Sequence, residues 1–202
     1  MNNHCGTSRI AGCQFTLFPM SDDFVDVILN TLEKVNTSKV WQETDDVSTC
    51  IRGKKGHVFD VVKAIFQHAA QSGKHVAMSG TFSIGCPGDS SGDVYMDESD
   101  QLMNEVATRE MKQLAGCKFS LYPLGREDYM DKIYEQIDWS NTTEVKVSHA
   151  HYATRLDGDV KDIFHVLQHS FEQVEQVVSH VTLTFTISAN SPSHSISTHK
   201  EV

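Results

Sequence analysis

No run in this 202-residue chain approaches the ~20 apolar residues of a membrane-spanning helix. The first residues, Met1-Asn2-Asn3-His4-Cys5, lack a basic segment followed by an apolar one, which predicts a soluble, cytoplasmic protein. Positive charge is scarce, with 17 Lys and Arg against 27 Asp and Glu and a net charge of −10. That balance argues against a nucleic-acid backbone or an anionic membrane as partner, since both select for the opposite sign. There is no C-x-x-C pair among the five cysteines, so the odd number reads as free thiols in a reducing compartment. No Walker or dinucleotide-binding glycine pattern and no repeated nucleophile–base pair appears. No cofactor is expected.

What the chain does contain is itself, twice. Ala11-Gly12-Cys13-Gln14-Phe15-Thr16-Leu17-Phe18-Pro19-Met20 returns as Ala115-Gly116-Cys117-Lys118-Phe119-Ser120-Leu121-Tyr122-Pro123-Leu124, with six of ten positions identical. Asp23-Phe24-Val25-Asp26 recurs as Asp128-Tyr129-Met130-Asp131, Gly56-His57-Val58 matches Gly158-Asp159-Val160, and His75-Val76 recurs as His180-Val181. Self-similarity over half the chain marks a tandem repeat. Each unit is near the lower size limit for a self-sufficient core, so the halves are expected to lean on each other or on a second subunit. The reading divides the chain into a first unit at 1–90, a linker with a helix at 91–114, a second unit at 115–192 and a disordered tail at 193–202.

Within the first unit, Cys13, Phe15 and Leu17 alternate with Gln14, Thr16 and Phe18, the period of a strand. Ser21-Asp22-Asp23 offers capping oxygens to a helix carrying Phe24, Val27, Ile28 and Leu32. Residues 39–52 read as a hairpin turning at Thr44-Asp45-Asp46. A second helix opens at Gly56 and stops at Gly73, and a last strand runs from His75 to Ile84. The second unit repeats the order with a strand at 116–122, a helix near 127–138, a hairpin at 142–156, a helix at 159–178 and a strand at 180–189. Ser99 is placed to cap a connecting helix with Met103, Val106, Met111 and Leu114 on one face. The order β-α-β-β-α-β predicts an α+β fold of two tandem ferredoxin-like repeats, antiparallel sheets with helices on one face.

Chemistry-bearing residues are few. Cys13 and Cys117 occupy equivalent strand positions and read as small buried hydrophobes. His149 and His151 sit two apart on a strand, but no third metal ligand accompanies them. His75 and His180 read as partners of local backbone, and Arg52 and Arg155 as ion-paired structure or function. The loop after the first strand, Pro19-Met20-Ser21-Asp22-Asp23, is acidic where a phosphate cradle needs cations and N–H groups. The residues alone therefore favour a small-molecule binding or sensing module over an interaction protein or an enzyme.

Cys5-Gly6-Thr7-Ser8-Arg9-Ile10-Ala11-Gly12, Ser38-Lys39-Val40-Trp41, Gly80-Thr81-Phe82-Ser83-Ile84-Gly85-Cys86-Pro87-Gly88-Asp89 and, in the second unit, Asp128-Tyr129-Met130 with Ser188-Ala189-Asn190-Ser191-Pro192 resemble the YkoF-type thiamin and hydroxymethylpyrimidine binding proteins. The similarity runs from about Cys5 to Pro192. It implies two ferredoxin-like repeats, a homodimer, no catalytic reaction, and binding of thiamin through its pyrimidine moiety with one ligand per repeat. It also implies a functional link to a membrane transporter for thiamin or its pyrimidine precursor. A pyrimidine is flat, with an apolar methyl edge and in-plane donors and acceptors, so it asks for an apolar slot with a few fixed polar groups. In the ferredoxin-like order the first strand lies beside the third, which is expected to set Leu17 next to Thr49 and Leu121 next to Tyr152. Ser48 and His151, adjacent to these, are expected to contribute main-chain groups. The alternative is a small-molecule-sensing regulatory or interaction module without thiamin specificity.

Overall fold

The computed structural model describes residues 9–85 and 94–193. The loop around Cys86-Pro87-Gly88-Asp89, the segment Cys5–Ser8 and the tail from 194, expected to be disordered, lie outside the described residues. In the first repeat β1 (Ala11–Pro19), α1 (Phe24–Leu32), β2 (Trp41–Thr44), β3 (Thr49–Gly53), α2 (Lys55–Ala70) and β4 (Val76–Ile84) follow in order. One helical turn, α3 (Glu105–Thr108), precedes the second repeat. That repeat comprises β5 (Leu114–Leu124), α4 (Tyr129–Ser140), β6 (Lys146–Ala150), β7 (Ala153–Asp159), α5 (Val160–Glu175) and β8 (His180–Ala189). Each repeat has the ferredoxin-like strand order, and the two join edge to edge through β4 and β8 into one eight-stranded sheet, β2-β3-β1-β4-β8-β5-β7-β6.

Local sequence explains the element boundaries. Pro19 is the last residue of β1, and Asp23 stands at the N-cap of α1, its carboxylate taken by the Ser21 hydroxyl rather than by the helix. The turn after β2 closes on Asp45, whose Oδ1 accepts the N–H groups of Val47 and Ser48 at 2.8 Å each, an Asx turn that releases the backbone from the ladder. The connecting helix expected from Ser99 is only the single turn α3. Residues 98–104 are instead strapped across α2: the buried Asp60 accepts the N–H groups of Met103 and Asn104, at 3.1 and 2.9 Å, and the Asn104 Nδ2 at 3.0 Å. Three N–H groups on one carboxylate oxygen hold that segment more firmly than a four-residue helix could by itself.

The helices α1, α2, α4 and α5 lie against one face of the sheet, leaving one continuous core beneath both repeats, and the single turn α3 packs on α2. Its centre is aromatic. Phe59 of α2 stacks on Phe82 of β4 with centroids 3.9 Å apart, Phe82 stacks on Phe185 of β8 at 5.2 Å, and Phe171 of α5 meets Phe59 edge-on at 5.6 Å. Gly80 faces Phe185 across the β4–β8 pair. These two positions are related by the repeat, so a local two-fold axis passes between them. A Cβ on Gly80 would lie 2.8 Å from Phe15 Cβ and 2.9 Å from the Phe185 ring. The axis has room for one side chain, and the first repeat yields it to the second.

Polar groups mark the same axis. His75 bonds the Ser188 hydroxyl at 3.0 Å, and its counterpart His180 approaches the Ser83 hydroxyl at 3.4 Å. The histidines expected to bond local backbone instead bind the opposite repeat. Across the helix layer Lys55 pairs with Glu175 at 2.5 Å.

Candidate ligand site at the sheet edges

Two features of the sheet offer places for a small molecule. The first is the helix-free face. Side chains of Thr16, Ser79, Thr81, Ser120, Thr184 and Thr186 line a trough of about 600 Å3 across the local two-fold axis, floored by Phe15, Phe119 and Phe185. Gln14 on one side faces Lys118 on the other as repeat equivalents. Its hydroxyls are partly used: Ser79 and Thr186 lie 3.0 Å apart, and Thr16 donates to the Val47 carbonyl at 2.9 Å.

The second lies where β1 outruns β3. Their ladder ends at Phe15↔Thr49, whereas β1 continues beside β4 to Pro19↔Val76. The bond from Met20 N–H to the His75 carbonyl, 2.8 Å, fixes which residues of β1 turn their main-chain groups toward β4. By strand alternation Leu17 then turns its N–H and C=O the other way, toward β3 and two residues past its last pair. No strand residue is paired with Leu17 on that side. The second repeat reproduces the arrangement. The β5–β7 ladder ends at Phe119↔Thr154, and Leu121 lies two residues beyond it on β5. Paired residues share a face of the sheet, so Thr49 and Thr154 lie on the helix side with Leu17 and Leu121.

The expected site residues fall into two groups in this geometry. Leu17 is half-buried beside the core and Leu121 is buried in it, so both present backbone rather than side chain at the edge. Thr49 pairs with Phe15, one alternation short of Leu17, and its hydroxyl meets that of Thr44 at 3.0 Å. Ser48 points to the helix-free face and accepts from Gln14 Nε2 at 2.8 Å. His151 and Tyr152 form the two-residue turn between β6 and β7. Tyr152 has φ of +65° and is fully exposed, so it is not on the strand beside Leu121. The Tyr152 carbonyl accepts from Ser120 as the Val47 carbonyl does from Thr16, which makes Tyr152 the equivalent of Val47. The residue matching Thr49 is Thr154. The pattern Thr-x-Ile-x-Gly at 49–53 against Thr-x-Leu-x-Gly at 154–158 carries that signal. His149 and His151 are separated between strand and turn, and no metal-ligating cluster of three occurs among the described residues.

The surroundings are acidic. The Ser21 hydroxyl and Lys74 hold the Asp23 carboxyl below its ordinary range. The Arg126 guanidinium does the same for Asp128 in the second repeat. Burial raises the thiols of Cys13 and Cys117, so neither is a ready nucleophile. Arg155 forms a two-bond pair with Asp157, at 2.7 and 2.8 Å.

The model of the YKOF-related Family matches residues 10–89 and again 114–194. The chain belongs to this family. A Bacillus subtilis (strain 168) protein named "Putative HMP/thiamine-binding protein YkoF" is 51% identical over 193 residues, covering 96% of each chain. Among solved structures, the hypothetical protein MJ1052 from Methanocaldococcus jannascii is 19% identical, with a TM-score of 0.38, covering 45% of this chain and 99% of that one. Protein SP2199 from Streptococcus pneumoniae is 24% identical, with a TM-score of 0.35, covering 38% and 84%. The two family matches coincide with the two ferredoxin-like repeats, and thus with the two strand edges at Leu17 and Leu121.

Proposed function

We propose that the chain binds the hydroxymethylpyrimidine moiety of thiamin, or the free pyrimidine, without turning it over, one ligand per repeat. The observation that carries this reading is the 51% identity, over nearly the whole length of both chains, to a protein bearing an HMP/thiamine-binding name. The strand edges support the location. An aminopyrimidine presents donors and acceptors in its own plane, and a strand residue past the end of its ladder presents one N–H and one C=O side by side. Leu17 beside Thr49, and Leu121 beside Thr154, offer that pairing with an apolar flank. Ser48 in the first repeat, and His151 and Tyr152 in the second, belong to the turns next to these edges. Competition tests the reading: free hydroxymethylpyrimidine is expected to displace thiamin, and the thiazole half alone is not. No product is expected on incubation with or without ATP and magnesium, and a protein-dependent product would contradict the binding role.

Charge favours unphosphorylated ligands. Asp22, Asp23 and Asp26 flank the first edge, and Glu127, Asp128 and Asp131 the second. A like charge at contact distance in a largely aqueous setting costs about 1 kcal/mol. Thiamin diphosphate is therefore expected to bind about fivefold more weakly than thiamin, with the gap shrinking as salt rises. Calorimetry with both ligands measures it, and equal affinity would place the ligand away from these acids.

The helix-free face is read as the contact of a homodimer. Phe18 and Tyr122, repeat equivalents, are each 46% exposed there, and a second sheet laid against them would enlarge the buried area of each chain. Light scattering is expected to give about twice 22.6 kDa; a monomer mass across micromolar concentrations would refute it. The hydroxyl lining of the trough supports a second reading, in which the pyrimidine sits on that face. A Thr16→Trp change would then abolish binding, whereas under the edge reading it disturbs the dimer. A role in uptake or salvage alongside a membrane transporter fits either location. No helix among the described residues is long and apolar enough to cross a membrane.

A further inference from the structure

The first helix of each repeat carries more apolar surface than the described residues cover. On α1 the core takes Val27 and Thr31. At 3.6 residues per turn, Phe24, Ile28, Leu32, Val25 and Leu29 continue the apolar sector through roughly 140° more, wider than a core-facing stripe needs. α4 turns Gln136 and Ser140 inward and places Tyr129, Ile133, Ile137, Met130 and Tyr134 at the same five angular positions. The two helices have diverged elsewhere, yet all five positions are apolar in both. Seven of these side chains, all but Ile28, Ile133 and Ile137, are between 37% and 54% exposed. Contiguous apolar surface of this kind marks an interaction site.

The rim of each patch is negative. Three acids per copy have no ion-pair partner among the described residues: Asp22, Asp26 and Glu33 around α1, and Glu127, Asp131 and Asp138 around α4. Asp23, Asp128 and Glu135 are already paired with Lys74, Arg126 and Lys132. Two such patches repel each other, which disfavours a second copy as occupant. Anionic lipid is disfavoured for the same reason. An apolar centre inside an acidic rim matches a helix with one apolar face and basic flanks. We infer that the outer faces of α1 and α4 are a duplicated docking surface for a basic amphipathic helical segment of a protein partner, two per chain. The surface lies on the helix side of the sheet, so a dimer formed through the opposite face leaves it open. The inference is independent of which small molecule the strand edges bind.

A labelled amphipathic peptide of leucine and lysine, with a leucine–glutamate counterpart, tests this by fluorescence anisotropy on the full chain. The lysine peptide is expected to bind at two sites, several-fold more weakly as salt rises, and the glutamate peptide is not. Val25→Asp with Leu29→Asp should remove one site, and Met130→Asp with Tyr134→Asp the other, each weakening its site at least tenfold. These positions are exposed, and unchanged thermal melts establish that the variants fold. Asp26→Asn and Asp131→Asn, which keep the apolar centre, should weaken binding and flatten its salt dependence. Binding indifferent to the patch variants, or equal binding of the glutamate peptide, overturns the inference. Self-association or anionic vesicle binding that the patch variants abolish would assign the surface to a second copy or to lipid instead. Displacement of the peptide by thiamin would assign it to the small-molecule site.

Discussion

Replacing Phe82 with alanine is expected to lower the unfolding free energy of the whole chain by about 3–5 kcal/mol, the usual cost of removing a fully buried phenyl ring. Phe82 lies between Phe59 of its own repeat and Phe185 of the other. It stands on β4, the strand through which the two repeats join. The loss therefore falls on both repeats at once. The chain carries its own reporters, since its two tryptophans, Trp41 on β2 and Trp139 on α4, lie one in each repeat. Urea titrations of Trp41→Phe and Trp139→Phe variants should give one coincident transition, and Phe82→Ala should shift both to the same lower midpoint. A Trp139 transition that stays in place would mean the second repeat folds independently of the seam.

Filling the slot at one strand edge is expected to erase one binding step and spare the other. Thr49→Trp places an indole beside Leu17, and Thr154→Trp does the same beside Leu121. A ring occupying the ligand's place should weaken that site on the order of 100-fold or more, equivalent to about 2.7 kcal/mol. The two wild-type sites should also differ several-fold, because one hydrogen bond more or fewer to the ligand is worth about 1 kcal/mol. The turn beside the first edge spans four residues and contains Ser48, whereas the turn beside the second is only His151-Tyr152. Far-UV spectra and melts establish folding of each variant, and calorimetry counts the remaining steps. If both variants bind two ligands as wild type does, the pyrimidine lies elsewhere, and Thr16→Trp then tests the trough.

How much of the fold and the site is legible in the sequence varies with the physical signal. The repeat, the element order and the turn at Asp45 follow from identity, periodicity and side-chain chemistry, which are local. The edge-to-edge joining of the repeats does not, because β4 and β8 carry the same alternation whether their free edges meet each other or solvent. Register is the costly error. Matching Gly56 to Gly158 slides the second helix of the repeat by three residues, and setting Thr49 against Tyr152 slides the hairpin by two. The pairs Ala11↔Gly53 and Ala115↔Gly158 show that Gly53 is the true counterpart. With that shift Phe59 aligns with Phe164 and Phe66 with Phe171, all four buried. Core apolar spacing is the stronger guide, and a lone glycine the weaker. The roles of His75 and His180 stay hidden in the sequence because their serine partners lie more than ninety positions away.

The most direct test of the account is a calorimetric titration of the wild-type chain with thiamin. It is expected to show two ligands per chain, bound with unequal affinity and recovered unchanged, with the binding isotherm erased when the protein is first saturated with hydroxymethylpyrimidine. One ligand per chain, no binding, or binding that hydroxymethylpyrimidine leaves untouched would contradict it.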